Sequence, residues 1–510
     1  MIKMSKFYIT TPLYYVNASP HIGHAYTNVI CDCLARFRRI QGDSVFFLTG
    51  TDEHGEKIKR AADAENTSVE NFVNSKVSVF KNLWNKLDIS YDFFIRTTDN
   101  FHKETVGKAI KILFDKGDIY KAKYRGFYCM PCESFWTEAQ VKEADGCPLC
   151  KRGVEEIVED NYFFKLSKYE SWLKSYLKEK PDLIRPRIRY NEVMGFLDNN
   201  VLEDLCISRP KKRVSWGIDF PADSNFVVYV WFDALLNYIS AVGFDRDEGR
   251  FNSLWPADIQ LIGKDIIRHH AIFWPIMLKA LGLEPPRIIF AHGWWKIGED
   301  KISKSKGNIV NPLELIEEFG VSALRYFLLR EVPVGMDGNF SYKTIINRIN
   351  SDLANDLGNL VYRVLNMAQK YFSGRIDAGN VNIPDSFNSS LHELSKEYAA
   401  YMNEVDFASA LDAIWKFIGV MNKFVEEVKP WILWKEAKTD ELKWFLFSLL
   451  EGIRITSIYI YPFMPRVSES ILEQLGLVPE KDIGLENVLW RKRTFVIKKG
   501  NPLFPRIDVD

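Results

Sequence analysis

Between Phe7 and His24 the chain passes from a β-branched and aromatic run ending in Pro12, through a Ser-Pro turn, into apolar residues at helical spacing: Ile22, Val29, Leu34 and Phe37. The pattern predicts strand, loop and helix. Pro20 stands where the helix begins, so His21, Gly23 and His24 occupy its first turn. Free backbone N–H groups and the positive end of the helix dipole face an anion there. Gly23 carries no side chain to block a ligand lying against that turn. His21 and His24, at i and i+3, can both donate to a phosphate, which suits a site stabilising a reacting phosphoryl centre. Taken alone, the same pair also suits a solvated helix face.

A second signal lies far downstream. Lys301-Ile302-Ser303-Lys304-Ser305-Lys306-Gly307-Asn308 places three lysines and one glycine in eight residues. Such a loop is either simply solvated or a cationic segment that closes over polyphosphate. H-I-G-H after the first strand followed by K-I-S-K-S resembles the paired signatures of class I aminoacyl-tRNA synthetases, with Ile302 where that family most often has Met. The resemblance implies that His21, His24, Lys301 and Lys304 surround the phosphates of ATP, beside Gly23, and that Mg²⁺ accompanies the nucleotide.

Length and composition bound the rest. At 510 residues the chain is too long for one core, and two to four domains are expected. Lys plus Arg and Asp plus Glu balance at 67 each, so a nucleic-acid partner must be held by local patches, which argues against a non-specific polyanion binder. No run of about 18 apolar residues and no charged leader before an apolar stretch is seen, so a soluble, unprocessed protein is expected. Four of the seven cysteines fall in two C-x-x-C pairs, which suits a reducing compartment, the cytoplasm, better than a disulfide framework.

Asp43 to Gly50 reads as a short buried strand, with Thr51-Asp52-Glu53-His54-Gly55 at its carboxyl end, where ligands of open α/β sheets collect. Asp52 could instead cap the next helix. P-L-Y-Y-V-N before H-I-G-H, together with T-D-E-H-G, resembles the methionyl-tRNA synthetase family, whose aspartate takes the substrate's α-ammonium group; the resemblance gives Asp52 that role. Thr67 to Lys116 predicts two amphipathic helices around a Phe93-Phe94-Ile95 strand, the first half of a doubly wound sheet. Beyond Gly117, Cys129-x-x-Cys132 and Cys147-x-x-Cys150 are separated by fourteen residues, with glycine and proline in the turns. That is the spacing of a structural tetrathiolate zinc knuckle with no open coordination position. The family carries such a knuckle in an insertion between the halves of its catalytic sheet. Cys31, Cys33 and Cys206 read as buried thiols, and Arg185 to Asn191 as a polar basic turn.

Ile207-Ser208-Arg209 with Trp216-Gly217-Ile218 resembles a family segment whose arginine contacts ATP phosphates, so Arg209 is carried over; Leu205-Cys206 stand where an aromatic is common. Phe226 to Trp231 reads as a buried strand that opens into a helix at Phe232, bringing Trp231, Ala234 and Tyr238 to one corner. Such a cluster can be plain core. Y-V-W-F-D-A resembles the family's methionine side-chain pocket, with Leu235 in place of a proline or similar residue. The segment Gly263-Lys264-Asp265-Ile266 follows another strand, and the resemblance puts Asp265 near adenosine and amino acid, Ile266 in the pocket and His270 at its end. From the residues alone, His270 could equally be a core histidine. Leu13 and Tyr15 complete the expected pocket.

From Asn311 the pattern is almost wholly helical. The resemblance to the family's anticodon-binding domain singles out Asn359 and Arg363, four apart on one helix face, and Pro430-Trp431, an aromatic plate after a rigid turn, though either pair could be ordinary packing. The expected architecture is α/β: a doubly wound parallel-sheet (Rossmann-like) catalytic domain with a zinc-knuckle insertion, followed by an α-helical bundle. Its halves are placed at residues 1–117 and 226–300, the insertion at 118–225, the lysine loop and stem-contact region at 301–345, and the anticodon-binding bundle at 346–510. The implied protein is a methionine–tRNA ligase that uses ATP, L-methionine and methionine tRNA, initiator and elongator, holds one structural Zn²⁺, and is monomeric and free of membrane. A class I synthetase for another amino acid, or a non-catalytic tRNA-binding relative, stands as the alternative.

Overall fold

The computed structural model describes residues 5–130, 134–136, 138–148, 150–297, 300–301, 310–378, 383–498 and 500–508. The chain opens with β1 (Lys6–Thr10), β2 (Tyr14–Tyr15), α1 (Ile22–Ile40), β3 (Ser44–Asp52), α2 (Glu56–Ala64), α3 (Val69–Lys86), β4 (Phe93–Arg96) and α4 (Asn100–Asp115). Next come β5 (Ile119–Cys129), β6 (Ser134–Trp136), α5 (Glu138–Ala144), β7 (Glu155–Phe164), α6 (Glu170–Glu179), β8 (Ile184–Arg185), α7 (Arg187–Asn199), β9 (Leu205–Cys206), β10 (Ser208–Pro210) and β11 (Phe226–Val228). The second part of the sheet region holds α8 (Val230–Leu235), α9 (Asn237–Ser240), α10 (Glu248–Leu254), β12 (Ile259–Gly263), α11 (Trp274–Leu281), β13 (Ile289–His292), β14 (Trp295–Ile297) and β15 (Asp300–Lys301). The helical part comprises α12 (Pro312–Phe319), α13 (Val321–Arg330), β16 (Gly338–Asn339), α14 (Tyr342–Arg348), α15 (Asn359–Phe372), β17 (Arg375–Asp377), α16 (Asp385–Asn403), α17 (Phe407–Val428), α18 (Pro430–Lys435), α19 (Thr439–Ile460), α20 (Pro465–Gln474) and β18 (Thr494–Val496).

The main sheet has the order β2-β3-β1-β12-β13-β8, with β4 also on β3, and every pairing is parallel. Its central strands are apolar on both faces, as a sheet covered by helices on both sides requires. Along β1, Phe7 and Ile9 join one apolar cluster with α1, while Tyr8 joins the other with Val106 and Ile110 of α4. The winding reverses between β1 and β12, so the crevice at their carboxyl ends is the topological switch point where ligands of such sheets sit. The helical part packs against the α1 face of this sheet.

Two expected elements differ. Phe226–Trp231 is not one strand: β11 stops at Val228 and α8 starts at Val230, and the helical turn carries the carboxylate of Asp233 into a buried contact with His54 and His102. β11 pairs antiparallel with β10, outside the main sheet. The polar turn expected at Arg185–Asn191 is instead β8 leading into α7, whose Tyr190, Val193 and Leu197 are buried at helical spacing under an exterior of mixed charge. Ile184 and Arg185 pair with β13, so the span 118–225 contains a strand of the main sheet as well as the four-stranded sheet β6-β5-β7-β9.

A buried ion cluster joins the sheet region to the bundle. Arg325 of α13, fully buried, pairs with Asp32 of α1 at 2.7 Å and donates to the carbonyl oxygens of Leu87, Pro462 and Phe463. Arg36 completes it, donating to Asp32 at 2.8 Å and to the Tyr461 hydroxyl at 3.0 Å. Burial alone would raise the pKa of Asp32, but the two guanidinium groups and Ser90 outweigh it and hold the carboxyl at about 2.

Candidate active site

His21 is the N-cap of α1. Its Nδ1 accepts from the Gly23 N–H at 3.1 Å, and His24 Nδ1 accepts from the His21 N–H at 3.2 Å, closing a capping box made of two imidazoles. The rings stack at 3.9 Å. Since each Nδ1 accepts, each neutral ring carries its proton on Nε2, which is thereby the donor edge. A Cβ at Gly23 would lie 2.9 Å from His21 Cε1, so the glycine makes room for the folded-back ring as well as for a ligand.

On one side of this turn the register of β2 on β3 sets Tyr15 beside Asp52. Asp52 ends β3 and is buried; α2 starts after Gly55, so Asp52 does not cap it. On the other side of the switch point, Tyr238 O–H donates to His270 Nε2 at 2.9 Å, and His270 Nδ1–H donates to the Ile266 carbonyl at 3.1 Å. Burial pushes the pKa of His270 down to about 4, so the ring is neutral and acts as the acceptor for Tyr238. His270 lies in a π-helical turn, His269–Phe273, a local distortion frequent at functional sites. Trp231 lies flat on the His269 ring at 3.7 Å. Ala234 and Tyr238 are buried, and Leu13 and Ile266 pack, half-buried, against the same apolar cluster. Asp265 follows β12, and its Oδ1 accepts from Trp294 Nε1 at 3.0 Å.

One group holding this pocket was missed in the sequence. Asp233, fully buried between Trp231 and Ala234, accepts from His54 Nδ1 at 2.7 Å and His102 Nε2 at 2.8 Å, and His102 Nδ1 meets Ser240 Oγ at 2.8 Å. Burial would raise the Asp233 pKa; the attraction of His54 and the bonds from both rings outweigh it and lower it. The clamp fixes α8 against the T-D-E-H-G segment and α4. The signal available in the sequence was a histidine and an aspartate, each beside an assigned pocket residue.

Arg209 lies on β10, which pairs with β11. Its guanidinium is buried, donates to the Ser208 carbonyl at 2.6 Å and to Cys206 Sγ at 3.3 Å, and lies 4.3 Å over the Tyr229 ring. Lys304 and Cys132 lie outside the described residues, as does the side chain of Lys301, whose backbone belongs to β15. Cys129, Cys147 and Cys150 bring their sulfurs within 4.8 Å of one another, Cys129 and Cys150 to 3.5 Å. That spacing fits thiolate edges of a tetrahedral site, about 3.8 Å for metal–sulfur bonds of about 2.3 Å. The positive φ of Gly146, 125°, and the Cys147 N–H bond to the Arg152 carbonyl at 2.8 Å shape the second turn.

In the bundle, Asn359 is exposed, and Arg363 bridges to Glu426 of α17 at 2.7 Å, which draws that face of α15 to the α17–α18 turn. There Pro430 is buried as the first residue of α18 and Trp431 is 42% exposed, so the tryptophan is not core. Trp434, one turn on and also exposed, stacks on Tyr371 at 4.9 Å.

A helix turn capped by two imidazoles at the switch point of a doubly wound sheet, joined to a helical bundle, is the arrangement that points to the class I aminoacyl-tRNA synthetases. Residues 7–156 and 152–365 match the family "tRNA synthetases class I (M)", and residues 385–498 match the "Anticodon-binding domain of tRNA ligase". The chain is 48% identical over 511 residues to the methionine–tRNA ligase of Caldanaerobacter subterraneus subsp. tengcongensis, covering 99% of this chain and 79% of that protein. It is 44% identical to that of Thermotoga maritima, covering 99% and 80%. Among solved structures, Mycobacterium tuberculosis methionyl-tRNA synthetase in complex with methionyl-adenylate matches with a TM-score of 0.94 at 39% identity, over 99% of this chain and 100% of that one. This chain belongs to the methionyl-tRNA synthetase family, and its activity is that of a methionine–tRNA ligase. No helix among the described residues is long and apolar enough to cross a membrane.

Proposed function

We propose the following assignment of residues to that activity. ATP lies across the β1–β12 crevice with its phosphates on the first turn of α1, where the Nε2–H groups of His21 and His24 and the backbone around Gly23 donate to them. Lys301 and Lys304 also meet the phosphates, and Mg²⁺ enters with the nucleotide as part of the substrate. Asp52 takes the methionine ammonium, and the thioether lies among Leu13, Tyr15, Trp231, Ala234, Tyr238, Ile266 and His270, with aromatic faces on the sulfur. Asp265 faces the adenosine. The methionine carboxylate attacks the α-phosphorus in line, pyrophosphate leaves, and a hydroxyl at the tRNA 3′ end then takes the methionyl group while AMP leaves. The protein's part is positioning and charge stabilisation. Arg209 is carried over as a further contact of the ATP phosphates, as the family resemblance implies.

Cys129, Cys147 and Cys150, with Cys132 as fourth ligand, hold one structural Zn²⁺, which supplies cohesion to the insertion and no reactive position. Asn359, Arg363, Pro430 and Trp431 meet the anticodon of initiator and elongator methionine tRNAs. The chain acts as a cytoplasmic monomer, with domains divided as the sequence suggests except that β8 and α7 go with the catalytic sheet.

The observation that carries this reading is the convergence at one switch point of the imidazole capping box, the Tyr15–Asp52 pair and the Tyr238–His270 pair. ATP–pyrophosphate exchange with each of the twenty amino acids tests it. Methionine should drive exchange best; exchange driven best by leucine or valine would defeat the pocket assignment.

A further inference from the structure

Outside the motifs, a single carboxylate gathers cations at the nucleotide end of the sheet. Asp337, in the connection between α13 and α14, accepts from Lys264 Nζ at 2.7 and 2.9 Å and from the Trp294 N–H at 2.9 Å, and pairs with Lys296 Nζ at 2.7 Å. Lys264 directly follows β12, and its ammonium also lies 4.1 Å over the Trp294 ring. Trp294 in turn is bonded to Asp265. One side chain from the helical part thus ties the carboxyl end of β12 to β14.

The backbone is held at the same place. β14 pairs with β16 at Trp295–Gly338 and Lys296–Asn339, and the Gly338 N–H donates to the Trp294 carbonyl at 2.8 Å. A Cβ at Gly293 would lie 2.0 Å from the Met336 carbonyl oxygen, so only glycine allows this approach. Burial opposes charge on Asp337, but the two ammonium groups and the Trp294 N–H outweigh it and hold its pKa well below the usual carboxylate range. The carboxylate therefore stays ionised at any working pH. Lys296 is also the cross-strand partner of Lys301, the first lysine of K-I-S-K-S.

We propose that Asp337 is a positioning residue for methionine activation: by fixing Lys264 after β12 and Lys296 on β14, it sets the strand against which Lys301 of β15 pairs. The proposal rests on the reading that Lys301 and Lys304 meet the ATP phosphates, and it adds a residue that neither signature motif contains. Asp337 acts through the lysines and touches no reacting atom.

ATP–pyrophosphate exchange on Asp337→Ala, Asp337→Asn, Lys296→Met, Lys304→Ala and the double variant Asp337→Ala/Lys296→Met tests this, with thermal unfolding followed on each. Misplacement by about 1 Å can cost about a hundredfold, so Asp337→Ala should slow activation by about tenfold to a hundredfold with the methionine KM within about twofold. The double variant should be no slower than its slower single parent, because Lys296→Met removes a contact that Asp337→Ala has already removed. Asp337→Asn, which keeps an acceptor for the Trp294 N–H, should retain more of the rate, and it carries the test if the alanine variant melts early. Native-like activation by Asp337→Ala, multiplicative losses in the double variant, or a parallel rise in methionine KM overturns the proposal. An impaired Lys304→Ala beside an unimpaired Asp337→Ala overturns it alone; an unimpaired Lys304→Ala overturns the loop reading and the proposal with it.

Discussion

Replacing Asp233 separates the clamp from the proposed methionine pocket that it adjoins. The carboxylate is fully buried and accepts from two imidazoles, at 2.7 Å from His54 and 2.8 Å from His102. Asp233→Ala leaves two buried donors facing a void. Breaking a buried charged contact from one side costs about 3–5 kcal/mol, a large share of the roughly 5–15 kcal/mol that holds a domain folded. Asp233→Asn keeps the shape and one acceptor oxygen but turns an N–H₂ group toward the other ring, so its cost should be that of one unmade bond, about 1–3 kcal/mol. Urea unfolding at neutral pH measures both. Trp231 and Ala234 flank Asp233 on α8, so part of the loss should surface in the pocket. Each 1.4 kcal/mol expressed there should raise the methionine KM by about tenfold, while the KM for ATP, whose proposed site is the first turn of α1, should stay put. A stability within about 0.5 kcal/mol of the native protein for Asp233→Ala would refute the energetic argument. Full destabilisation with an unchanged methionine KM would show that the clamp does not position the pocket.

Acid should weaken the α1–bundle junction: the folded pKa of Asp32 is about 2, below the unfolded value of about 3.9, so its contribution is complete above pH 4 and lost as pH falls toward 2. The loss is about 2–3 kcal/mol, and Asp32→Asn should show a correspondingly shallower decline over that window in unfolding measured against pH. Purified protein should hold about one zinc, and Cys147→Ser should lower both the metal content and the protease resistance of the insertion; active protein free of zinc would contradict this. Trp431→Ala should cost about tenfold to a hundredfold in tRNA charging, from about 1–3 kcal/mol of lost base stacking, with methionine activation intact. Charging unaltered by the change would make Trp431 an ordinary surface residue.

The elements legible in the sequence are those whose chemistry is local. The imidazole capping box at His21 and His24 needs only a helix start and a three-residue spacing, and both are written in H-I-G-H. The C-x-x-C turns behave the same way, since each pair is set by its own tight turn. Hydrophobic period placed β1, β3, β4 and β12, and the helix that follows β1. It failed where burial was decided by a distant partner. The run Phe226–Trp231 reads as a strand by propensity, yet Asp233 two residues later meets histidines 179 and 131 positions away, and a helix begins at Val230. Asp337 and Lys264, 73 residues apart, and Arg325 and Asp32, on α13 and α1, carry no mark in their local sequence. Spacing along the chain fixes which groups can share one turn of helix or one loop. Only the tertiary structure decides which charges are desolvated together, because that depends on sheet order and helix packing, and desolvation is what makes those few partnerships strong.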